Sequence, residues 1–421
     1  MRIKRVKAMK NPQEFIVQKF TEYYRDNANI IPLPTSYKNR EFGFILFDKG
    51  GMLRHKAFVE PRFFRDFIKS ITPSDVYHSA AYYKQPSREM GKKGWIGADL
   101  IFDIDFDHLR TPCKVEHEYW TCERCDQVGV GKHPSVCSQC GGSKFKMVAW
   151  LCETCLETAK SEALKLIDFL INDFGFPPHD IEVCFSGHRG YHIHIEREEI
   201  KQLDQDARKE IVDYVLGTGL KVSLHGLMEV RRRTGHKVIG PDLNSPGWGG
   251  KIAKGVYDIL VTYNIQQLNE INGINKNMAS LIYSQRDKIF KTWNNGNSWG
   301  SIKGIGIKTW EKLVETSVDN QSVNIDTVVT IDIHRLIRMP LTLHGKTGLK
   351  VISIPSKSLE RFDPFREAVA FSKGTLKVYV LAAHRFRIGE DIYGPYRREI
   401  VKLPMAAAIY LFCKRAALLT D

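Results

Sequence analysis

The sequence has no long hydrophobic segment. None of its apolar runs reaches the roughly 20 residues that a membrane-spanning helix needs, and the amino-terminal stretch MRIKRVKAMKNPQEF is basic without the apolar core of a secretory signal. A Walker A loop is also lacking, so ATP-driven unwinding is not expected. These absences argue against a membrane protein and predict a cytoplasmic one.

Acidic residues are in the minority. The 421 residues include 48 Asp and Glu against 62 Lys and Arg, a net charge of +14. Such an excess is typical of proteins that bind nucleic acid or anionic lipid. The length suits one large domain with insertions or two domains, with a substantial core.

Two acids share one face of a strand predicted over residues 99–106. Side chains alternate along a strand, so Asp103 and Asp105 point to the same side. Two adjacent carboxylates repel unless a cation lies between them, and oxygen ligands suit Mg²⁺ or Mn²⁺. A solvated acidic face is the alternative for a lone Asp-x-Asp. The other face is wholly apolar: Leu100, Phe102, Ile104 and Phe106.

A hairpin is predicted from strands at 181–186 and 191–195, joined by Gly187-His188-Arg189-Gly190. Glycines let this backbone turn tightly, and Ser186, Arg189 and His192 are donors of the kind that hold phosphate oxygens. A lone histidine on a strand is usually structural, but several donors on one turn favour a phosphate site.

Two further acids follow in residues 324–338. We expect Asp332 to cap the start of a short helix that stops before Pro340. Asp326 is expected to open a β-branched strand, from whose edge a third carboxylate could reach a metal pair.

Seven of the nine cysteines are packed between Cys113 and Cys155. In a cytoplasmic protein such clusters are metal ligands rather than disulfides. The inner set, Cys122, Cys125, Cys137 and Cys140, has zinc-ribbon spacing, and an outer Cys₃His set is Cys113, His117, Cys152 and Cys155. The alternative is a single zinc with spare free cysteines. Four protein ligands leave no open position, so both sites would be structural.

These segments together resemble the catalytic small subunit of archaeal and eukaryotic DNA primase, within the archaeo-eukaryotic primase superfamily. The resemblance runs through most of the chain, with its motifs in the family's order and spacing. They are REFGF at 40–44, FDID at 102–105, FSGHRGYH at 185–192, RLIR at 335–338 and TLHGKTG at 342–348.

The resemblance implies an α+β fold: a mixed-sheet primase catalytic core over residues 1–421 with an RRM-like element and a zinc-binding insertion at 113–155. Residues 264–318 are richer in Asn, Gly and Lys, which favours a separate helical insertion there. It implies a metal-binding triad of Asp103, Asp105 and Asp326. His188 stands where the family often has an arginine. The implied nucleotide-binding residues are Ser186, His188, Arg189, His192, Arg338 and His344, with Glu41 and Arg54 nearby.

The implied activity is synthesis of short primers from NTPs or dNTPs on single-stranded DNA, by nucleotidyl transfer with two Mg²⁺ or Mn²⁺ ions. One or two structural zinc ions, a large primase subunit as partner and a nucleoid-associated cytoplasmic location follow from the same resemblance. A repair or translesion primase-polymerase remains an alternative. A zinc-ribbon protein that only binds nucleic acid is another, but it leaves the acids unexplained.

The insertion at 264–318 carries two stretches that resemble helix-hairpin-helix elements, around Gly273-Ile274-Asn275 and Gly304-Ile305-Gly306. Such a hairpin exposes backbone N–H groups to DNA phosphates without reading sequence. Asn275 replaces the usual second glycine, and Trp310 stands where a small residue is usual. A helical spacer is the alternative.

Overall fold

The computed structural model describes residues 11–47, 50–106, 109, 111, 113, 118–125, 127–221, 227–232, 235–293, 299 and 304–420. The chain forms two compact units. One comprises Met1–Leu164, Pro177–Lys209 and Ile325–Asp421, and the other Lys165–Phe176 and Glu210–Asn324. No helix among the described residues combines the length and apolar character required to cross a bilayer.

The helices are bounded as follows. They are α1 Gln13–Asn27, α2 Pro61–Ile71, α3 Glu153–Asp168, α4 Glu198–Lys201, α5 Gln205–Leu216, α6 Gly247–Thr262, α7 Ile265–Glu270, α8 Lys276–Ser284, α9 Arg286–Trp293, α10 Ile307–Gln321, α11 Thr327–Ile331, α12 Pro364–Glu367 and α13 Met405–Cys413. A π-helical turn, Phe169–Asp173, continues α3, and shorter 3₁₀ turns occur in loops.

The strands are bounded as follows. They are β1 Phe42–Ile45, β2 Met52–Lys56, β3 Asp75–Ser79, β4 Ala81–Tyr83, β5 Trp95–Ala98, β6 Leu100–Asp105, β7 Glu118–Cys122, β8 Val128–Val130, β9 Phe145–Ala149, β10 Ile181–Phe185, β11 Gly190–Ile195, β12 Met228–Arg232, β13 Gly235–Ile239, β14 Leu336–Arg338, β15 Ile352–Pro355, β16 Thr375–Ala383, β17 Phe386–Ile388, β18 Asp391–Tyr393, β19 Tyr396–Pro404 and β20 Ala417–Leu419.

Two four-stranded antiparallel sheets organise the first unit. One has the order β14-β3-β1-β2 and the other β15-β10-β11-β6. A small apolar cluster of Ala80, Ile101, Val329 and Ile337 packs side chains from both sheets and α11 together. The predicted α+β class is therefore confirmed.

Most of the predicted elements form. The strand β6 and the hairpin β10–β11 lie where the sequence predicts them. Helix α3 starts at Glu153 and continues into the π turn. Strand β19 ends at Pro404, directly before α13, and the chain after α13 forms β20.

The segment 326–338 was predicted incorrectly. Its β-branched residues form the helix α11, which Asp326 caps by accepting the Val328 N–H at 3.0 Å. Burial of Val329 in the apolar cluster overrides the strand preference of these residues. Asp332 is not a helix N-cap but follows α11, and the run after it becomes β14 because it pairs with β3.

The second unit contains α6 to α10 and the hairpin β12–β13. Helix α6 packs along α10, whose Trp310 is fully buried against Trp293 and Trp299. Trp310 therefore fills the centre of this unit, which explains why a large side chain stands at that position of α10.

Candidate active site

Asp103 and Asp105 lie at the end of β6, on the face that the alternation predicted. Their neighbours on β11 are fixed by register: Asp103 is opposite His192 and Asp105 opposite Gly190. A Cβ at Gly190 would lie only 1.8 Å from the Ile104 carbonyl oxygen. A residue without a side chain is thus required where the hairpin passes this strand.

Asp326 is held beside this pair by the backbone. Its N–H donates to the Asp103 carbonyl at 2.8 Å, so the first turn of α11 is anchored to the acidic strand. Burial raises the pKa of Asp103, and the negative charges of Asp105 and Asp326 act in the same direction, against the influence of His192. The charges of Asp105 and Asp326 therefore both act on Asp103, although Asp326 does not line the same cleft as Asp103 and Asp105.

Ser186 organises the turn between β10 and β11. Its hydroxyl oxygen accepts the backbone N–H groups of His188 at 3.4 Å and Gly190 at 3.3 Å, and its own N–H donates to the Gly190 carbonyl. Gly187 adopts a positive φ of 79°, and a Cβ there would press on His344 at 2.9 Å. The turn therefore brings His188 and Arg189 toward the acids.

His192 faces Asp103 across the two strands, with its Nε2 3.4 Å from the Asp103 Oδ1. Burial lowers the pKa of His192 and favours the neutral ring. Its Nδ1 is buried and has no hydrogen-bond partner within the described residues. His192 therefore lines the cleft directly beside Asp103.

A cleft of about 330 Å³ joins the acidic strand, the turn and the strand β14. Eight of the residues expected to form the site line it: Asp103, Asp105, Ser186, His188, Arg189, His192, Arg338 and His344. Acidic groups and cationic or N–H donors thus line a single concave site, an arrangement suited to a metal-bound polyphosphate.

Arg338 is oriented by Asp75. The Asp75 carboxylate accepts from the Arg338 guanidinium and from the Gly345 N–H, and the guanidinium lies 4.7 Å from the centre of the Tyr77 ring. Arg338 extends from the edge strand β14 and is held in place at the cleft wall by β3.

Glu41 and Arg54 do not line the cleft. Glu41 is fully buried and accepts from Arg54, Lys93 and the His55 N–H. Burial acts to raise the pKa of Glu41, but the bonds from Arg54 and Lys93 outweigh it and lower the value. Both oxygens are therefore occupied within the protein.

Several residues that line the cleft or contact its lining were not assigned from the sequence. Arg335 and Lys346 stand within recognised motifs, so their motif membership was the available signal. Asp75 and Tyr77 lie in β3 with no local pattern that marks them. Lys414, which contacts His188, is 226 positions away along the chain and carried no signal beyond being a charge after an apolar helix.

The cysteines gather into two groups. Cys122, Cys125, Cys137 and Cys140 form one, and Cys113, Cys152 and Cys155 the other, with all sulfurs of a group within 4.8 Å of one another. His117 lies outside the described residues. Sulfur pairs at 3.5 to 3.9 Å are too far apart for disulfides. They match the edge of a zinc tetrahedron, which is about 3.8 Å for Zn–S bonds of about 2.3 Å. The donor sets therefore fit zinc.

Comparison with known proteins places these features in one family. The family profile described as DNA primase small subunit matches residues 149–354. The chain is 34% identical to the DNA primase small subunit PriS of Methanothrix thermoacetophila, over 95% of this chain and 97% of the relative.

Two further relatives carry the same name. PriS of Methanococcoides burtonii is 32% identical, covering 96% of this chain and 97% of its own length. PriS of Nitrosopumilus maritimus is 30% identical, covering 96% and 98%. With similarity over nearly the whole length, the chain belongs to the DNA primase small subunit family.

Proposed function

We propose that this protein is the catalytic subunit of a replicative primase, which synthesises short primers from NTPs on single-stranded DNA by nucleotidyl transfer. The proposal rests mainly on one observation: a cleft is lined both by carboxylates and by side chains that can donate hydrogen bonds to phosphate. Family membership supports the replicative role over repair or translesion synthesis.

The acidic cluster fits divalent metal. Its donors are carboxylate oxygens, and the raised pKa of Asp103 reflects burial together with negative charge that a cation would compensate. Asp103, Asp105 and Asp326 would hold two Mg²⁺ or Mn²⁺ ions. When bound, such ions lower the pKa of an attacking hydroxyl and neutralise charge on the transferring phosphate.

The protein side chains supply orientation. Arg338, fixed by Asp75, and Arg189, on the turn, bring positive charge to the cleft at the positions expected for the triphosphate. His192 closes the side next to the acids and excludes water from one edge of the cluster. Because these groups are held before substrate arrives, they stabilise the developing charge without reorganising.

The two cysteine groups are proposed as structural zinc sites, one with His117 as its fourth ligand. Gly142 supports the inner site, since a Cβ there would lie 3.4 Å from the sulfurs of both Cys122 and Cys140. Zinc would join β7 to the loop at 137–140. It would thereby stabilise a three-stranded sheet that is too small to form a large hydrophobic core.

The helical insertion is proposed to contain paired helix-hairpin-helix elements that hold the template. Gly273 and Gly304 have φ of 87° and 83°, and the N-cap residues Asn275 and Gly306 share φ of −84° and ψ of 168°. The contacts of these glycines are reciprocal. A Cβ at Gly273 would meet Lys312, six residues after Gly306, and a Cβ at Gly304 would meet Leu281, six residues after Asn275.

Such reciprocity is what two copies related by an approximate two-fold axis produce, and a simple spacer does not require it. Ile274 and Ile305 are buried, whereas Asn275, Lys276, Gly306 and Lys308 are exposed. Each turn thus buries one isoleucine and leaves backbone N–H groups and one lysine exposed, where they could bind the phosphates of a DNA strand.

A large primase subunit as partner and a cytoplasmic, nucleoid-associated location complete the proposal. The first follows from the small-subunit name of the relatives, and the second from the role in replication.

De novo dinucleotide synthesis from NTPs on a single-stranded template tests the proposed function. We expect synthesis with Mg²⁺ or Mn²⁺ and none after Asp103→Ala, with Asp332→Ala as the matched acidic control. Extension of an existing primer without initiation would favour a repair polymerase. DNA binding without any synthesis would favour the non-enzymatic interpretation.

A further inference from the structure

Lys414 is a buried lysine beside His188, one of the residues that line the cleft. It follows the last residue of α13, a helix without any other charged side chain, and is only 7% exposed. Its Nζ lies 2.9 Å from the Nε2 of His188 and 5.5 Å from the centre of the Tyr410 ring. The Tyr410 ring is fixed as well, because its hydroxyl accepts the Leu151 N–H at 3.1 Å.

His188 and His344 form a pair of neutral rings. Their centres are 4.8 Å apart, and both residues line the cleft. Burial lowers the pKa of each well below the ordinary value, and the nearby cations Lys414, Lys346 and Arg338 add to the effect. Both imidazoles therefore have one N–H donor and one acceptor nitrogen.

The acceptor nitrogen of His344 is fixed by the backbone. Its Nδ1 accepts the Lys346 N–H at 3.0 Å, so the ring proton is on Nε2. A charged lysine can only donate, so His188 bonded to Lys414 through Nε2 must have its proton on Nδ1.

We propose that Lys414 is a positioning residue for the substrate triphosphate: by donating to Nε2 of His188 it holds that ring as an Nδ1–H donor, paired with the Nε2–H of His344. This inference rests on the proposed function, since it assumes that the cleft binds a nucleotide. Lys414 acts through His188 rather than by contact with substrate.

The electrostatics agree with this arrangement. Burial lowers the pKa of Lys414 to about 7, with Arg189 and Lys346 contributing, so a buried charge is costly in the empty protein. A polyphosphate in the adjoining cleft would offset that cost by favouring the charged, donating form. We therefore expect substrate binding and protonation of Lys414 to favour each other through the His188 ring.

The tautomer can be measured without substrate. In protein labelled with ¹⁵N-histidine at about pH 6, below the pKa of about 7 of Lys414 so that the lysine is charged, we expect a protonated Nδ1 and an unprotonated Nε2 on His188. The His188 resonances are assigned by their disappearance in His188→Ala. In Lys414→Met, which keeps an unbranched side chain one atom shorter and removes its charge, this preference should weaken. Wild-type His188 with its proton on Nε2 would overturn the proposal.

Binding provides the second test, with ATP and inorganic tripolyphosphate as probes. Lys414→Met should weaken both by about 10-fold, as expected when a charge-assisted hydrogen bond is removed. Lys350→Met, another partly buried lysine with a burial-lowered pKa, should leave binding unchanged. In a His188→Ala background, Lys414→Met should have no further effect.

An equal decrease in affinity in both backgrounds would show direct contact with phosphate and overturn the positioning role. These results are separable from the proposed function: a protein that binds ATP with the expected coupling but makes no primers would refute only primer synthesis. A protein that makes primers without this coupling would refute only the role of Lys414.

Discussion

At the scale of single residues, the Asp326 side chain has two separate effects. Its carboxylate caps α11 and also contributes negative charge beside Asp103. A single substitution to alanine removes both, so an inactive Asp326→Ala would not distinguish a missing ligand from a displaced helix.

Asp326→Asn separates these roles. Asparagine caps a helix as well as aspartate, so we expect stability to fall by less than about 0.5 kcal/mol, against about 1 kcal/mol for Asp326→Ala. Primer synthesis should nevertheless fall at least about 100-fold in both variants, because neither side chain supplies a charged carboxylate. Primer assays and thermal unfolding measure the two effects.

Asp332→Asn is the control, because Asp332 lies at the C-terminal end of α11, where its Oδ1 accepts the His334 N–H at 2.9 Å, whereas the Asp326 backbone bonds to Asp103. It should keep near-normal synthesis. Full activity in Asp326→Asn would remove Asp326 from the proposed triad.

At the scale of elements, the cysteine loop is expected to carry two zinc ions per chain. Elemental analysis of Cys122→Ser with Cys125→Ser should find one, since only the inner group is broken. Cys184→Ala is a matched control because Cys184 is buried in β10 and belongs to neither group. One zinc in the wild type, unchanged in the double variant, would exclude the inner site.

The paired hairpins predict a salt dependence of template binding. Deletion of the whole insertion is a poor test, because it removes the α10 residues that pack against α6. Point variants avoid this problem. Lys276→Glu with Lys308→Glu should weaken binding to DNA and reduce the slope of log K against log salt by about 0.7 to 0.9 for each phosphate that the variant no longer neutralises.

Lys254→Glu with Lys288→Glu changes the net charge equally at exposed positions outside the hairpins. An equal effect in this pair would show that the hairpin lysines act only through net charge and would favour the spacer interpretation.

At the scale of the whole first unit, one buried network links the two sheets. The fully buried Asp99 carboxylate accepts from Arg40 at 2.6 Å, Tyr82 at 2.6 Å and His194 at 2.8 Å. Arg40 precedes β1 and also donates to the Ser79 carbonyl, whereas His194 belongs to β11. The position of the acids relative to β14 thus depends on this network.

The network predicts a pH-dependent stability. Burial acts to lower the pKa of His194, but the Asp99 charge outweighs it and raises the pKa above the ordinary value of 6.5. A raised pKa contributes stability that is present below the unfolded value and disappears as pH rises through the folded one. The thermal midpoint should therefore differ more between wild type and His194→Gln at about pH 6 than at about pH 8.

Titration of Asp99 does not contribute between about pH 6 and about pH 8. Burial acts to raise its pKa, but His194 and Arg40 outweigh burial and hold the pKa far below this range. His179→Gln, at an exposed histidine, should match the wild type throughout. A pH-independent difference for His194→Gln would show that the ring is held only by packing.

The sequence by itself determined the acidic strand, the hairpin with its donors and the grouping of the cysteines. Each depends on local rules: alternation places Asp103 beside Asp105, glycines specify the turn, and ligand spacing marks the cysteine sets. Motif order then indicated the family.

Only the tertiary structure decided the rest. Residues 327–331 favour a strand locally, yet packing of Val329 and the cap from Asp326 make them a helix. The burial of Glu41, the support of Arg338 by Asp75 and the contact of Lys414 with His188 join residues that are distant in sequence. No local pattern encodes such contacts, because they arise only when separate sheets and helices bury their apolar faces together.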